Sequence, residues 1–322
     1  MSVAASRQSL DFSEEGPEET SGRSTFGWAL QVVRRRPAAV VGTIVLLVII
    51  VAAVLAPVIA PYSITTQSGQ PFTPPSSQHW LGLSDEGYDV LSQLIWACRI
   101  SLLVGFAAAL VSMVIGGFLG IVAGYFGGQL DLVLTVVTDY FIVIPALPLL
   151  IVVAAIWGPS LSHIILILGL LLWTTTARII RAQVKSLRER TYVRRARALG
   201  AGHIRVIVRH ILPHTAPLLV ANTIITVSAA IFTETALAFL GLGDPTQASL
   251  GKLIENAYDH SAAASGAWWV LLPPGILVAI IVASATLIGL AVEDALSPRS
   301  THVPFFGPRR RGRGASERTS SA

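Results

Sequence analysis

Sulfur, charge and nucleotide-binding signatures are what this sequence has least of. A single cysteine, Cys98, among 322 residues excludes an intramolecular disulfide framework and gives no metal-ligand spacing; it reads as a small buried residue. Only 13% of the residues are charged while 53% are hydrophobic, with a mean hydropathy of +0.67. That is too little charge for a soluble core of this size and ordinary for a polytopic membrane protein. No GxxxxGK[ST] occurs, since Gly251-Lys252 lacks both the upstream glycine and the following hydroxyl, so the chain is not expected to bind or hydrolyse ATP. A Gly-x-Ser-x-Gly elbow and a Cys/His ligand cluster are also missing: His203, His210 and His214 stand seven and four apart, with Pro213 between the last two. No enzyme, metal site or cofactor is therefore expected in this chain.

One local absence is equally informative. Between Tyr62 and Ala97 there is no Lys or Arg, so this Ser/Thr/Pro/Gly-rich stretch is placed outside the cell. The net charge of +5 and a pI near 9.8 could suggest nucleic acid, but the basic residues cluster beside apolar runs and read as topology signals. Residues 1–33 are polar and acidic, with Asp11, Glu14, Glu15, Glu18 and Glu19, and are expected to be disordered and cytoplasmic. Arg34-Arg35-Arg36 fix the inner start of a first crossing over 34–61. An acidic leader without a small-residue cleavage pattern makes this crossing a retained span, and its length meets the roughly 20 residues a bilayer requires.

The remainder divides into an extracytoplasmic segment (62–97), a five-helix core (98–297) containing a cytoplasmic loop (184–215), and a basic cytoplasmic tail (298–322) with Arg309, Arg310, Arg311 and Arg313 that could meet anionic lipid. The expected fold is all-α, with six transmembrane helices. Within the core, Arg99 opens the run Ile100–Phe126, where Gly116, Gly120 and Gly124 make a stripe suited to close helix packing. Leu132–Ile156 carries Asp139, with Pro145 and Pro148 toward its outer half. Leu161–Ala177 returns inward, Leu218–Leu240 carries Glu234, and Ala267–Val292 opens with Trp268-Trp269 at an interface. Six crossings with both ends inside leave Arg99 and Lys252 as the only outward bases. Acids at membrane depth are candidates for a translocation path, and Asp139 and Glu234 are the only such pair.

The least apolar internal stretch is RERTYVRRARALGAGHIRVIVRHILP, Arg188–Pro213. Tyr192–Gly200 reads as a short amphipathic helix with Val193, Ala196 and Leu199 or Gly200 on one face. Gly200 is placed to stop it in the left-handed conformation. A second run sets Ile204, Ile207, Val208 and Ile211 against Arg205 and Arg209, and Pro213 is expected to end it. From Arg178 to Arg209 there are ten basic residues and one acid, Glu189, a strong inside signal.

This loop resembles the cytoplasmic coupling ("EAA") loop of ABC importer permeases, and ARALGAGHIRVIVRHILP looks like the dipeptide, oligopeptide and nickel branch. Ala196, Gly200 and Ile211-Leu212-Pro213 fit the pattern, while Arg194 and Arg195 occupy the usual Glu-Ala positions. His79, Leu81, Gly82, Gly87, Asp89 and Val90 resemble the segment that precedes the core in that branch, and FTETALAFLGLG (Phe232–Gly243) resembles a span end of the family. The likeness extends from about His79 to Arg299. It implies a type I ABC importer permease fold in a bacterial or archaeal cytoplasmic membrane, with a homologous second permease subunit, two cytosolic ATPase subunits or domains that carry ATP and Mg, and an external substrate-binding protein. Peptides are the implied cargo, with nickel or another small solute as the alternative. The coupling surface it implies comprises Tyr192, Arg194, Arg195, Ala196, Ala198, Leu199, Gly200, Ile211, Leu212 and Pro213. A proton-coupled carrier using Asp139 and Glu234 is the rival reading; it leaves the loop unexplained and finds no inverted repeat in the sequence.

Overall fold

The structure, a computed structural model, describes residues 36–296; the 1–33 segment and the 298–322 tail lie outside them. Pro37 occupies the first turn of α1 (Pro37–Val54), where a missing N–H costs nothing. Pro57 interrupts the run expected to reach Pro61, so its last turn is a separate element, α2 (Ala56–Ile59). Asp89 caps α3 (Val90–Phe126), accepting from the Ser92 N–H at 2.9 Å and the Ser92 hydroxyl at 2.8 Å. Its carboxylate thereby fills donors that the first turn leaves open. The cap starts α3 well before Ile100, inside the segment read as extracytoplasmic. Arg99 accordingly sits within the helix, over the Trp96 ring at 5.6 Å.

The run Leu132–Ile156 is not one straight span. It folds as α4 (Gly128–Val143) and α5 (Ala146–Trp157), bent by 87°. Ile144 is extended (φ −71°, ψ 126°) because the proline that follows disfavours helical backbone in the residue before it. Next come α6 (Leu161–Arg188), α7 (Thr191–Ala198) and α8 (His203–Val206). A π-turn at Ile207–Ile211 joins α8 to α9 (Leu212–Leu237), and a second π-turn, Ala238–Leu242, closes α9. Then α10 (Leu250–Asp259) and α11 (Trp268–Leu296) follow. Among the described residues there is no strand, only an isolated bridge between Leu83 and Asp89. Among the described residues five stretches are long and apolar enough to cross a bilayer, and the bent pair makes a sixth if counted as one.

Backbone approach sets the packing. A Cβ on Gly116 would lie 2.5 Å from the Trp173 carbonyl oxygen, on Gly120 2.7 Å from that of Ala177, and on Gly124 2.8 Å from that of Arg181. The glycine stripe of α3 is thus the surface on which α6 rests, and only a hydrogen fits between the two backbones. On the other side α1 lies on α11, with Gly42 against the Ser284 carbonyl and Arg36 paired to Asp294 at 2.5 Å where α1 begins and α11 ends. The outer segment is tied down by polar contacts: Trp269 Nε1 donates to the Leu83 carbonyl at 3.3 Å, His79 pairs with Asp89 at 2.9 Å and His260 with Asp85 at 2.9 Å. Asp244, just beyond α9, accepts from the Thr246 N–H at 2.9 Å and the Leu161 N–H at 3.0 Å. Burial pushes its carboxyl up, but those hydrogen bonds and the Thr246 hydroxyl outweigh it and hold the group below the usual carboxylate range.

Candidate functional site

The polar insert forms a knob at one end of the bundle, and its shape follows from one glycine. Helix α7 ends in a Schellman arrangement: the Ala201 N–H donates to the Ala196 carbonyl and the Gly200 N–H to the Arg197 carbonyl, each at 3.0 Å, with Gly200 at φ +82°. That left-handed conformation favours glycine, and it turns the chain back so that α8 starts beside the end of α7. Val193, Val206 and Ile211 are fully buried against Ile121 and Tyr125 of α3 and Ile180 and Val184 of α6. The knob is therefore fixed by its apolar side to both helices of the glycine contact.

Tyr125, at the end of α3, is the hub of this attachment. Its hydroxyl lies 3.0 Å from His203 Nδ1, its carbonyl accepts from Arg188 at 3.2 Å, and the Arg197 guanidinium lies over its ring at 5.8 Å. Tyr125, Arg188 and His203 were not among the expected site residues, and the only hint of the first was an aromatic pair before the Gly127-Gly128 turn. Tyr192 stacks on His214 at 5.6 Å and lies 6.2 Å from His210. Partial burial raises its phenol above the ordinary value, with Arg190 opposing the shift.

Three expectations for this loop need correcting. Pro213 does not end a helix; it stands at the start of α9, where a proline without an N–H is tolerated, and the π-turn carries the chain into it. His210 and His214 consequently share a face, with His214 Nδ1 2.8 Å from the His210 carbonyl. The apolar faces also divide differently. Val193, Val206 and Ile211 are buried, Ala196 and Ile207 half-buried, whereas Leu199 is 89% exposed and Ile204 79% exposed. Leu199 follows the last turn of α7, and Ile204 stands in the first turn of α8, so neither lies on the side that meets the bundle. Arg194, Arg195, Ala198, Leu212 and Pro213 are exposed as well. A cavity of about 500 Å³ opens among Arg194, Arg197, Ala198, Gly200, Ala201 and His203.

Asp139 and Glu234 occupy unlike settings. Asp139, on α4, pairs with Arg178 of α6 at 2.5 Å, and both side chains are about half exposed, at 57% and 51%. Glu234, on α9, is 3% exposed; Ser101 Oγ donates to its Oε2 at 3.1 Å and itself accepts from the Leu250 N–H at 3.1 Å. Among the described residues no hydrogen bond or ion pair joins the two acids.

Comparison with known proteins places these features. Residues 116–302 match the sequence profile of the binding-protein-dependent transport system inner membrane component, and residues 24–75 match that of the N-terminal TM domain of oligopeptide transport permease C. The dipeptide transport system permease protein of Bacillus subtilis is 34% identical over 269 residues, covering 83% of either chain. The oligopeptide transport system permease protein of Mycobacterium tuberculosis is 36% identical over 270 residues, 83% of this chain and 92% of its own. A dipeptide permease from Alkalihalophilus pseudofirmus is 30% identical over 287 residues, 88% of this chain and 93% of its own. The first profile spans the whole knob, and the second ends inside the outer segment.

Proposed function

The chain belongs to the family of binding-protein-dependent transport system inner membrane components, the membrane-spanning permease subunits of ABC importers, and from that premise we propose that it carries peptides inward and couples to ATPases through the knob around Gly200. The family works in the inner membrane with partner ATPases and a substrate-binding protein. We read two ATPase subunits or domains as holding the ATP and Mg, with this chain doing no catalysis, and a second permease subunit as completing the pathway. Both termini are taken to be cytoplasmic.

The observation that carries the coupling assignment is the knob's attachment. A short helix outside the spans, closed by Gly200 and pinned through Val193, Val206 and Ile211 to α3 and α6, can pass a push on its exposed side to the spans with little give. A tightly packed apolar contact resists deformation and shifts as a body. Tyr192, Arg194, Arg195, Ala196, Ala198, Leu199 and Gly200 would receive the push, and Ile211, Leu212 and Pro213 would relay it into α9. Asp139 is the better candidate of the two acids for the path: a half-exposed ion pair on a span is costly against lipid and favours water or a protein partner. Glu234 reads as a fastener between α3, α9 and α10.

The test is purification of the tagged chain in mild detergent, with identification of its companions, an ATPase assay, and uptake of labelled di- and oligopeptides after reconstitution with the binding protein. Recovery of a second permease and ATPases with peptide-stimulated hydrolysis is expected. Uptake of nickel or another small solute in place of peptides would overturn the cargo assignment and leave the coupling assignment intact.

A further inference from the structure

Resting on the coupling reading, we propose that the ATPase partner of this chain presents an acid-rimmed, apolar-floored socket to the knob, with Leu199 and Ile204 as the buried centre and Arg194, Arg195 and Arg205 at the rim. The polarity of this contact is set by what the knob lacks. From Arg190 to Thr215 there is no Asp or Glu, and the nearest acid, Glu189, is already engaged by Arg188 at 3.2 Å. Among the described residues no carboxylate pairs with Arg194, Arg195 or Arg205. Rim cations without a partner among the described residues suit anions on another molecule, and their effect falls on encounter rate, salt dependence and partner choice.

The centre of the surface is apolar, since Leu199 and Ile204 are the most exposed of the knob's large hydrophobic residues. They lie in the basic stretch that follows Lys185, Arg188 and Arg190, Leu199 between the helices long enough to cross a bilayer and Ile204 in the first turn of the 203–242 run, beside Arg205. Exposed apolar side chains with exposed arginines close by in sequence match the apolar core and polar rim of a protein interface. Beside it the cavity of about 500 Å³ has Arg194, Arg197 and His203 in its wall, and two of these are held still by Tyr125, through the hydroxyl contact to His203 and the ring under Arg197. A preformed basic recess of that kind suits a projecting Asp or Glu side chain. A lipid headgroup layer would match the charge but leave the concavity unfilled. The same rim would discriminate against an ATPase with a basic residue facing it.

The test uses the assembled transporter in nanodiscs, with a photo-crosslinking residue in place of Leu199 and the bound ATPase measured as salt rises from about 0.1 M to about 1 M, where the screening length falls from about 10 Å to about 3 Å. The Leu199 probe is expected to capture the ATPase. R194E/R195E should hold it about tenfold more weakly at the lower salt, the loss shrinking at the higher salt, and R194K/R195K should stay close to the parent. Reversing the acid mapped by the crosslink should restore binding to R194E/R195E. Capture of the ATPase with R194E/R195E unaffected would overturn the acidic socket and leave the coupling reading standing. Capture of lipid alone, or of this chain's own acidic residues at 11–19, would overturn both.

Discussion

Helix α9 leaves the bilayer through a π-turn at each end, yet the two ends are held by opposite means. At the inner end, Ile207–Ile211 leads into a knob anchored by Val193, Val206 and Ile211 in an apolar cluster. At the outer end, Ala238–Leu242 breaks at Gly241 (φ +79°), and the turn of the chain into α10 is fastened by polar contacts, Glu234 to Ser101 and Ser101 to the Leu250 N–H. Apolar packing is non-directional and tolerates small shifts as one body. Hydrogen bonds around a buried carboxyl are directional and are either made or lost. On the coupling proposed above, the first arrangement suits an end that passes on a displacement, and the second an end that holds one geometry.

The strongest way to break that contrast is Val193→Asp. A carboxylate placed in the cluster with Ile180 and Ile211 has no partner there, and an unpaired buried charge costs several kcal/mol. The knob should detach from α3 and α6, with ATPase co-purification and uptake both lost while the chain still inserts. An insertion defect as large as the coupling defect would show that the knob is needed for folding rather than for transmission. At the outer end, Glu234→Ala removes the acceptor of the Ser101 hydroxyl and leaves a void, at a cost of about 2–4 kcal/mol, read as a lower thermal midpoint in detergent. Glu234→Gln keeps an acceptor oxygen and should lose less than about 1 kcal/mol. If both variants behaved alike, shape and not hydrogen bonding would be holding that end.

Gly200→Leu comes next in size. Open space surrounds the glycine, so the cost is the left-handed backbone at φ +82°, about 1–2 kcal/mol for a residue with a Cβ. Global stability and insertion should change little, but the angle between α7 and α8 would shift and uptake should be abolished. Normal uptake in this variant would remove Gly200 from the coupling surface.

How much of this could be read in the sequence depended on whether the cause was local. The apolar runs at 100–126, 161–177, 218–240 and 267–292 and the glycine stripe at 116, 120 and 124 are local signals and became the expected helices and contact, whereas the run at 132–156 broke before Pro145. The end of α7 at Gly200 was legible because its hydrogen bonds span only a few residues. Pro213 was misread because a proline stops a helix on one side and starts one on the other, and periodicity does not say which. Ile204, set with Ile207 and Ile211 on one side, was misassigned for a different reason: an exposed apolar residue has the same sequence pattern as one facing the core. The fastening of Glu234 was invisible, since Ser101 stands 133 positions away.

Asp139→Asn is the smallest expected effect on the protein and the most telling for the path. The Asp139–Arg178 pair is half exposed, so its removal should change stability by less than about 1 kcal/mol and leave membrane abundance as it was. If the pair faces a watery passage, the freed Arg178 alters the field that a zwitterionic or charged peptide meets on its way, and the uptake rate should shift for charged peptides more than for neutral ones. Equal uptake of both classes at unchanged abundance would place the pair against a neighbouring subunit. Reduced abundance would assign it to holding α4 on α6, where Asp131 already receives Arg181 and Lys185.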